Sequence, residues 1–145
     1  MGKVIGVKVP AWFRLLAVLG LLWNGFGVYM YLKSVGMLGD PLAGLDPAHA
    51  ALARSIPAWV TGTLAVAVFA GLLGSLLMVA GKRLACIFFV LSLLAVIVQT
   101  VWITAISNAR AVEGTMALVM PGVITLVALL LALVAAKGAA KYWLN

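Results

Sequence analysis

Four long apolar stretches without a charged residue fill most of this 145-residue chain: Leu15 to Leu32, Ser55 to Gly81, Leu84 to Ala109 and Gly114 to Ala136. A hydrocarbon layer of roughly 30 Å takes about 20 helical residues at 1.5 Å each, and each stretch meets or approaches that length. With 66% hydrophobic and 9% charged residues, a water-soluble fold would leave large apolar patches in solvent. The stretches predict an all-α polytopic membrane protein with four transmembrane helices in an up-down bundle. Four spans and their connections use residues 1–145 as a single domain, which leaves no room for a separate catalytic unit.

The formal charge of +7 does not mark a nucleic-acid protein, because the cations stand in ones and twos at the span ends and form no basic stripe with interleaved aromatics. Lys3, Lys8 and Arg14 precede the first span, Lys82 and Arg83 separate the second and third, and Lys137 and Lys141 follow the fourth. Lys33, Arg54 and Arg110 lie in the other loops. Seven cations against three place both termini in the cytoplasm, because short loops rich in Lys and Arg are retained there during insertion. The basic start followed by an apolar run resembles a secretion signal. That run is too long, and it continues into Tyr29, Met30, Tyr31 and Leu32 without a cleavage site, so the first helix is expected to be retained. The partners expected on these grounds are membrane lipids, with no nucleic acid.

Punctuation residues set the element limits. Pro10 suits the first turn of helix one, which is expected to run to about Leu38. Asp40-Pro41 and Asp46-Pro47 each set a capping carboxylate before a proline, and the second predicts a short extramembrane helix across His49, Ala50, Leu52 and Ala53. Ser55-Ile56-Pro57 opens the second span with Trp59 as an interface anchor, and Lys82-Arg83 makes a tight turn. Asn108, Arg110, Glu113 and Gly114 read as a loop, with the fourth span starting near Thr115. Pro121 falls either in the first turn of that span or deeper, where it would kink the helix; both placements stay open.

Inside the spans no Asp, Glu, Lys, Arg or His occurs, which argues against the buried carboxylates of ion-coupled transporters. Small residues at helical spacing, Ala17, Gly20 and Gly27 on helix one with Gly71, Gly74 and Ser75 on helix two, allow close approach of backbones and mark these two helices for contact. Neutral polar and aromatic residues gather in the outer halves: Asn24, Tyr31, Thr61, Gln99 and Trp102. They predict either interhelical hydrogen bonds, Asn24 with Gln99 across the bundle, or the lining of a ligand pocket. Phosphate-loop, zinc-protease and nucleophile-elbow motifs are missing from the chain, so no catalytic or cofactor-binding residue is named and no cofactor is expected. Cys86 stands alone, which excludes an internal disulfide, and His49 has no second ligand beside it for a metal.

Residues 21–32, LLWNGFGVYMYL, and 56–85, IPAWVTGTLAVAVFAGLLGSLLMVAGKRLA, resemble a family of small bacterial four-helix inner-membrane proteins without an established activity, some of them automatically labelled sugar transporters. The resemblance runs through Gln99 and Trp102. It implies the four-span fold and an inner-membrane location, and brings no motif that would carry sugar binding. The small multidrug exporters also have four short helices, but their first-helix glutamate has no counterpart here, where helix one offers Asn24. The expected function is a non-enzymatic inner-membrane protein that associates with itself or serves another membrane protein. The alternative is a small carrier or binder for a neutral or lipid-like solute.

Overall fold

The computed structural model describes residues 7–145; Lys3 lies outside them. The chain is all-helical: α1 (Ala11–Ser34), α2 (Pro47–Arg54), α3 (Ala58–Val79), α4 (Ala85–Val101, prolonged by a π-helical turn at Trp102–Ile106), α5 (Ala109–Glu113) and α6 (Met116–Ala140). Four of these, α1, α3, α4 with its prolongation, and α6, have the length and apolarity to cross a membrane. They run up and down as a bundle, with α2 lying between the first two spans as the Asp46-Pro47 signal predicts.

Helix ends follow local chemistry. Pro10 and Pro57 stand at the N-cap positions of α1 and α3 in extended conformation, one residue earlier than a first-turn placement. Asp46 caps α2 through its Oδ1, which accepts from the Ala48 and His49 N–H groups at 2.9 and 3.0 Å. Asp40 caps only a turn, accepting from Leu42 N–H at 2.9 Å. Helix α1 stops at Ser34, short of Leu38. Gly36 takes φ +82°, and Met37 N–H turns back to the Leu32 carbonyl at 3.0 Å. This left-handed glycine cap satisfies carbonyls that the helix would otherwise leave open. Gly81 ends α3 in the same way, with φ +72° and Lys82 N–H on the Leu77 carbonyl at 2.8 Å.

One expectation changes around α5, and one placement left open by the sequence is decided. The segment read as a loop holds α5, whose start is tied by Ala109 N–H donating to Ser107 Oγ at 3.2 Å. Pro121 lies inside α6, in its second turn, and the helix continues through it.

The α3–α4 hairpin is the centre of the bundle, with α1 packed on α3 and α6 on α4. Small residues let α3 and α4 approach: Ser92 Oγ donates to the Ala67 carbonyl at 2.7 Å, and Gly74 lies flat against the Phe89 ring. Helices α1 and α6 meet at the end where α1 begins and α6 finishes, here called the sealed end. Phe13 fills the space over Gly138, and Leu131 that over Gly20. Phe13, Ala17, Met78, Ala85, Phe89, Leu131, Ala135 and Leu144 form the main buried cluster there. Trp143 packs edge-on against Trp12 and Phe13 at 5.5 and 5.2 Å between ring centroids, while Lys137 Nζ sits 5.3 Å above the Trp12 ring. Asn145 N–H donates to the Gly81 carbonyl and Arg83 N–H to the Asn145 carbonyl, both at 2.7 Å. The C-terminal segment thereby locks onto the α3–α4 turn.

Candidate functional site

Away from the sealed end, α1 and α6 diverge and leave a cleft of about 400 Å³ over the α3–α4 hairpin. Its mouth is apolar and lies on the lateral surface: Trp23, Phe26 and Met30 of α1 face Met120 and Ile124 of α6, and all five are exposed. Leu64 and Val68 of α3 and Val96 of α4 form its back. Phe89 and Leu131, members of the sealed core, close its lower end. A bilayer would therefore cover the opening.

Polar groups run down this cleft in two rows. On α1, Asn24, Tyr31 and Ser34 lie with Gly27 on one lining face, their spacings of three and four residues keeping them on one side of the helix. Ten residues separate Asn24 from Ser34, so this row descends about 15 Å into the bundle. On α4, Gln99 and Ser92 line the same space two turns apart. None of the lining residues is Asp, Glu, Lys, Arg or His. The cleft is a neutral polar groove set in an apolar frame.

Asn24 makes two side-chain hydrogen bonds in the cleft wall. Its Nδ2 donates to the Gly20 carbonyl at 2.9 Å and to Ser75 Oγ at 3.0 Å, and Ser75 donates in turn to the Gly71 carbonyl at 2.9 Å. Gly71 has no room for a side chain: a Cβ there would overlap the Asn24 amide and come within 3.2 Å of Ser92 Oγ. Each such interhelical bond contributes about 0.6 kcal/mol in lipid. The chain of contacts from α1 to α3 to α4 holds Asn24 in one orientation. Asn24 thus pairs with Ser75 instead of Gln99. Among the described residues the Gln99 amide has no hydrogen-bond partner and borders the cleft.

The other residues singled out in the sequence are distributed differently. Gly20 and Ser75 are buried, and Gly71 is buried between Asn24 and Ser92. Gly27 packs on Val68, with 3.4 Å between a Cβ at Gly27 and Val68 Cγ1. Thr61 is half-buried on α3, outside the cleft lining. Trp102 is buried at the start of the π turn, where Ser107 N–H bonds the Trp102 carbonyl at 2.8 Å, and it too lies outside the lining. A π turn inserts one residue per turn and rotates the residues beyond it about the helix axis; Trp102 stands at its start. Ser92 and Ser34 were missed as lining residues. Their signal is present in spacing alone, Ser92 two turns from Gln99 and Ser34 three from Tyr31.

A further polar contact joins α4 to α6. Thr125 Oγ1 donates to the Pro121 carbonyl at 2.8 Å, so at the 2.9 Å contact between Thr100 and Thr125 hydroxyls Thr100 is the donor. No group of three His, Cys, Asp or Glu side chains able to hold a metal occurs among the described residues. No protein-family model, curated protein or solved structure matches the chain.

Proposed function

We propose that this is a non-enzymatic inner-membrane protein whose lateral cleft binds an uncharged amphiphile from the surrounding lipid. One observation carries the reading: a cleft of about 400 Å³ that opens sideways between α1 and α6, apolar at its mouth and lined inside by uncharged polar groups. An apolar chain gains by lying along Trp23, Phe26 and Met30, while a neutral head finds hydrogen-bonding groups below. A charged head would enter without a counter-charge, at a large desolvation cost. The blind lower end favours binding over open conduction. Self-association has less support, because Leu131 of the same chain already fills the space over Gly20.

The resemblance to small bacterial inner-membrane proteins supports the location. The seven-to-three distribution of Lys and Arg supports cytoplasmic termini, with the cleft then opening in the outer half of the bilayer. Native mass spectrometry on protein purified in mild detergent tests the binding. Wild-type protein should retain an amphiphile that Leu64→Trp, which fills the back of the cleft, releases while the helical content and monodisperse elution stay unchanged. Bulk phospholipid in the same proportions on both proteins would remove the reading.

A further inference from the structure

We propose that the ligand's head bears a hydroxyl or another uncharged hydrogen-bond donor, and that Asn24 Oδ1 accepts it; this rests on the cleft being a binding site. The orientation of the Asn24 amide is dictated by its neighbours. Ser75 gives its single proton to the Gly71 carbonyl at 2.9 Å, so toward Asn24 it can only accept. The Gly20 carbonyl can only accept as well. Both Nδ2 protons are therefore committed, at 2.9 and 3.0 Å, and a reversed amide would set Oδ1 against two acceptors.

Oδ1 is left on the other side, against Gly71 and near Ser92. Gly71 offers it only a Cα–H, a weak donor. Ser92 gives its proton to the Ala67 carbonyl at 2.7 Å. Among the described residues no N–H or O–H reaches Oδ1, yet no unpartnered side-chain polar atom is fully buried; the oxygen therefore keeps some exposed surface, and Asn24 lines the cleft. An acceptor held open in an apolar bundle is costly to leave unpaired. A donor on the ligand removes that cost, whereas a ligand that only accepts meets an oxygen it cannot satisfy. The class selected is a long-chain alcohol or an acylglycerol-like lipid, its hydroxyl at mid-bundle and its chain passing out between Phe26 and Met120.

Two probes of nearly equal shape separate the ideas: 1-decanol and decyl methyl ether, each titrated by ligand-observed NMR into nanodiscs carrying the wild-type protein. Affinities are expressed per mole fraction in the bilayer, so that different partitioning cancels. The alcohol should bind about tenfold more tightly than the ether, one hydrogen bond's worth of discrimination. Asn24→Ala should bring that ratio close to one. Equal binding of both probes by wild-type protein, both displaced by Leu64→Trp, would overturn the donor requirement and leave the cleft as a binding site. Binding of neither probe would overturn both. Should Asn24→Ala fail to fold, the wild-type comparison still decides.

Discussion

At the scale of single residues, the bundle depends on where a Cβ is forbidden. Gly71 and Gly122 look alike in sequence, each a glycine within an apolar span, but their surroundings are opposite. A methyl group at Gly71 would overlap the Asn24 amide and crowd Ser92, while at Gly122 it would meet nothing within 4 Å. Gly71→Ala should therefore destabilise the fold by about 1–3 kcal/mol, the usual cost of overpacking, and should loosen Asn24. Gly122→Ala should be neutral or stabilise by up to about 1 kcal/mol through the lost flexibility of glycine. Reversible unfolding of the two variants in mixed micelles would measure the contrast, and equal effects would mean that the Asn24–Gly71 contact does not constrain the bundle. Helical spacing made the small faces of α1 and α3 legible, but the partner of Asn24 was not. Whether an amide meets Ser75 or Gln99 depends on helix rotation and relative depth, which spacing along one chain leaves undetermined.

At the scale of elements, capping chemistry was the most readable signal and helix irregularity the least. Asp46 followed by proline announces α2, and its carboxylate holds that helix's first N–H groups. The His49 backbone N–H, then the His49 side chain, hold the Asp46 carboxyl below its ordinary range. A carboxyl whose folded pKa is depressed stabilises above its unfolded pKa and loses that contribution as pH falls through the lower folded value. Hydrogen exchange at the Ala48 and His49 amides should accordingly stay protected at neutral pH. It should rise relative to the α3 amides as pH drops below about 4, the ordinary aspartate range. In Asp46→Ala the amides should be unprotected throughout, and an unchanged pH profile in that variant would show that the carboxylate is not the cap. The π turn at Trp102–Ile106 had no such marker, since an inserted residue leaves the apolar composition as it was. The end of α1 was misplaced because Val35, Met37 and Leu38 suit a continuing apolar helix. Gly36, in the left-handed region, stops it.

At the scale of the whole molecule, the four-span architecture was legible because its cause is crude: enough apolar length to cross a bilayer, interrupted by charge. Orientation rests on an equally coarse quantity. In a Cys86→Ala background, His49→Cys and Glu113→Cys should react with an impermeant thiol reagent on intact cells, and Lys82→Cys only after the membrane is opened. The reverse pattern would turn the cleft toward the cytoplasm. A pocket bordered by Asn24, Tyr31 and Gln99 was legible, but its lateral opening was not, because it arises from a difference between the two ends of one helix pair: α1 and α6 touch at Gly20 and Gly138 and diverge beyond. That seal also sets an order of events. The α3–α4 hairpin turns through a few residues and needs little chain entropy to close. The contact of Phe13 with Trp143 spans nearly the full chain, and Trp143 and Leu144 are synthesised after everything they cover. Until α6 arrives, the gap between α1 and the hairpin lacks Leu131, which shares with Phe89 in closing its lower end. A bundle of the first three spans thus lacks one wall and part of the floor of the cleft, and α6 supplies both. The same contacts join distant parts of the chain, so they can part while the hairpin stands.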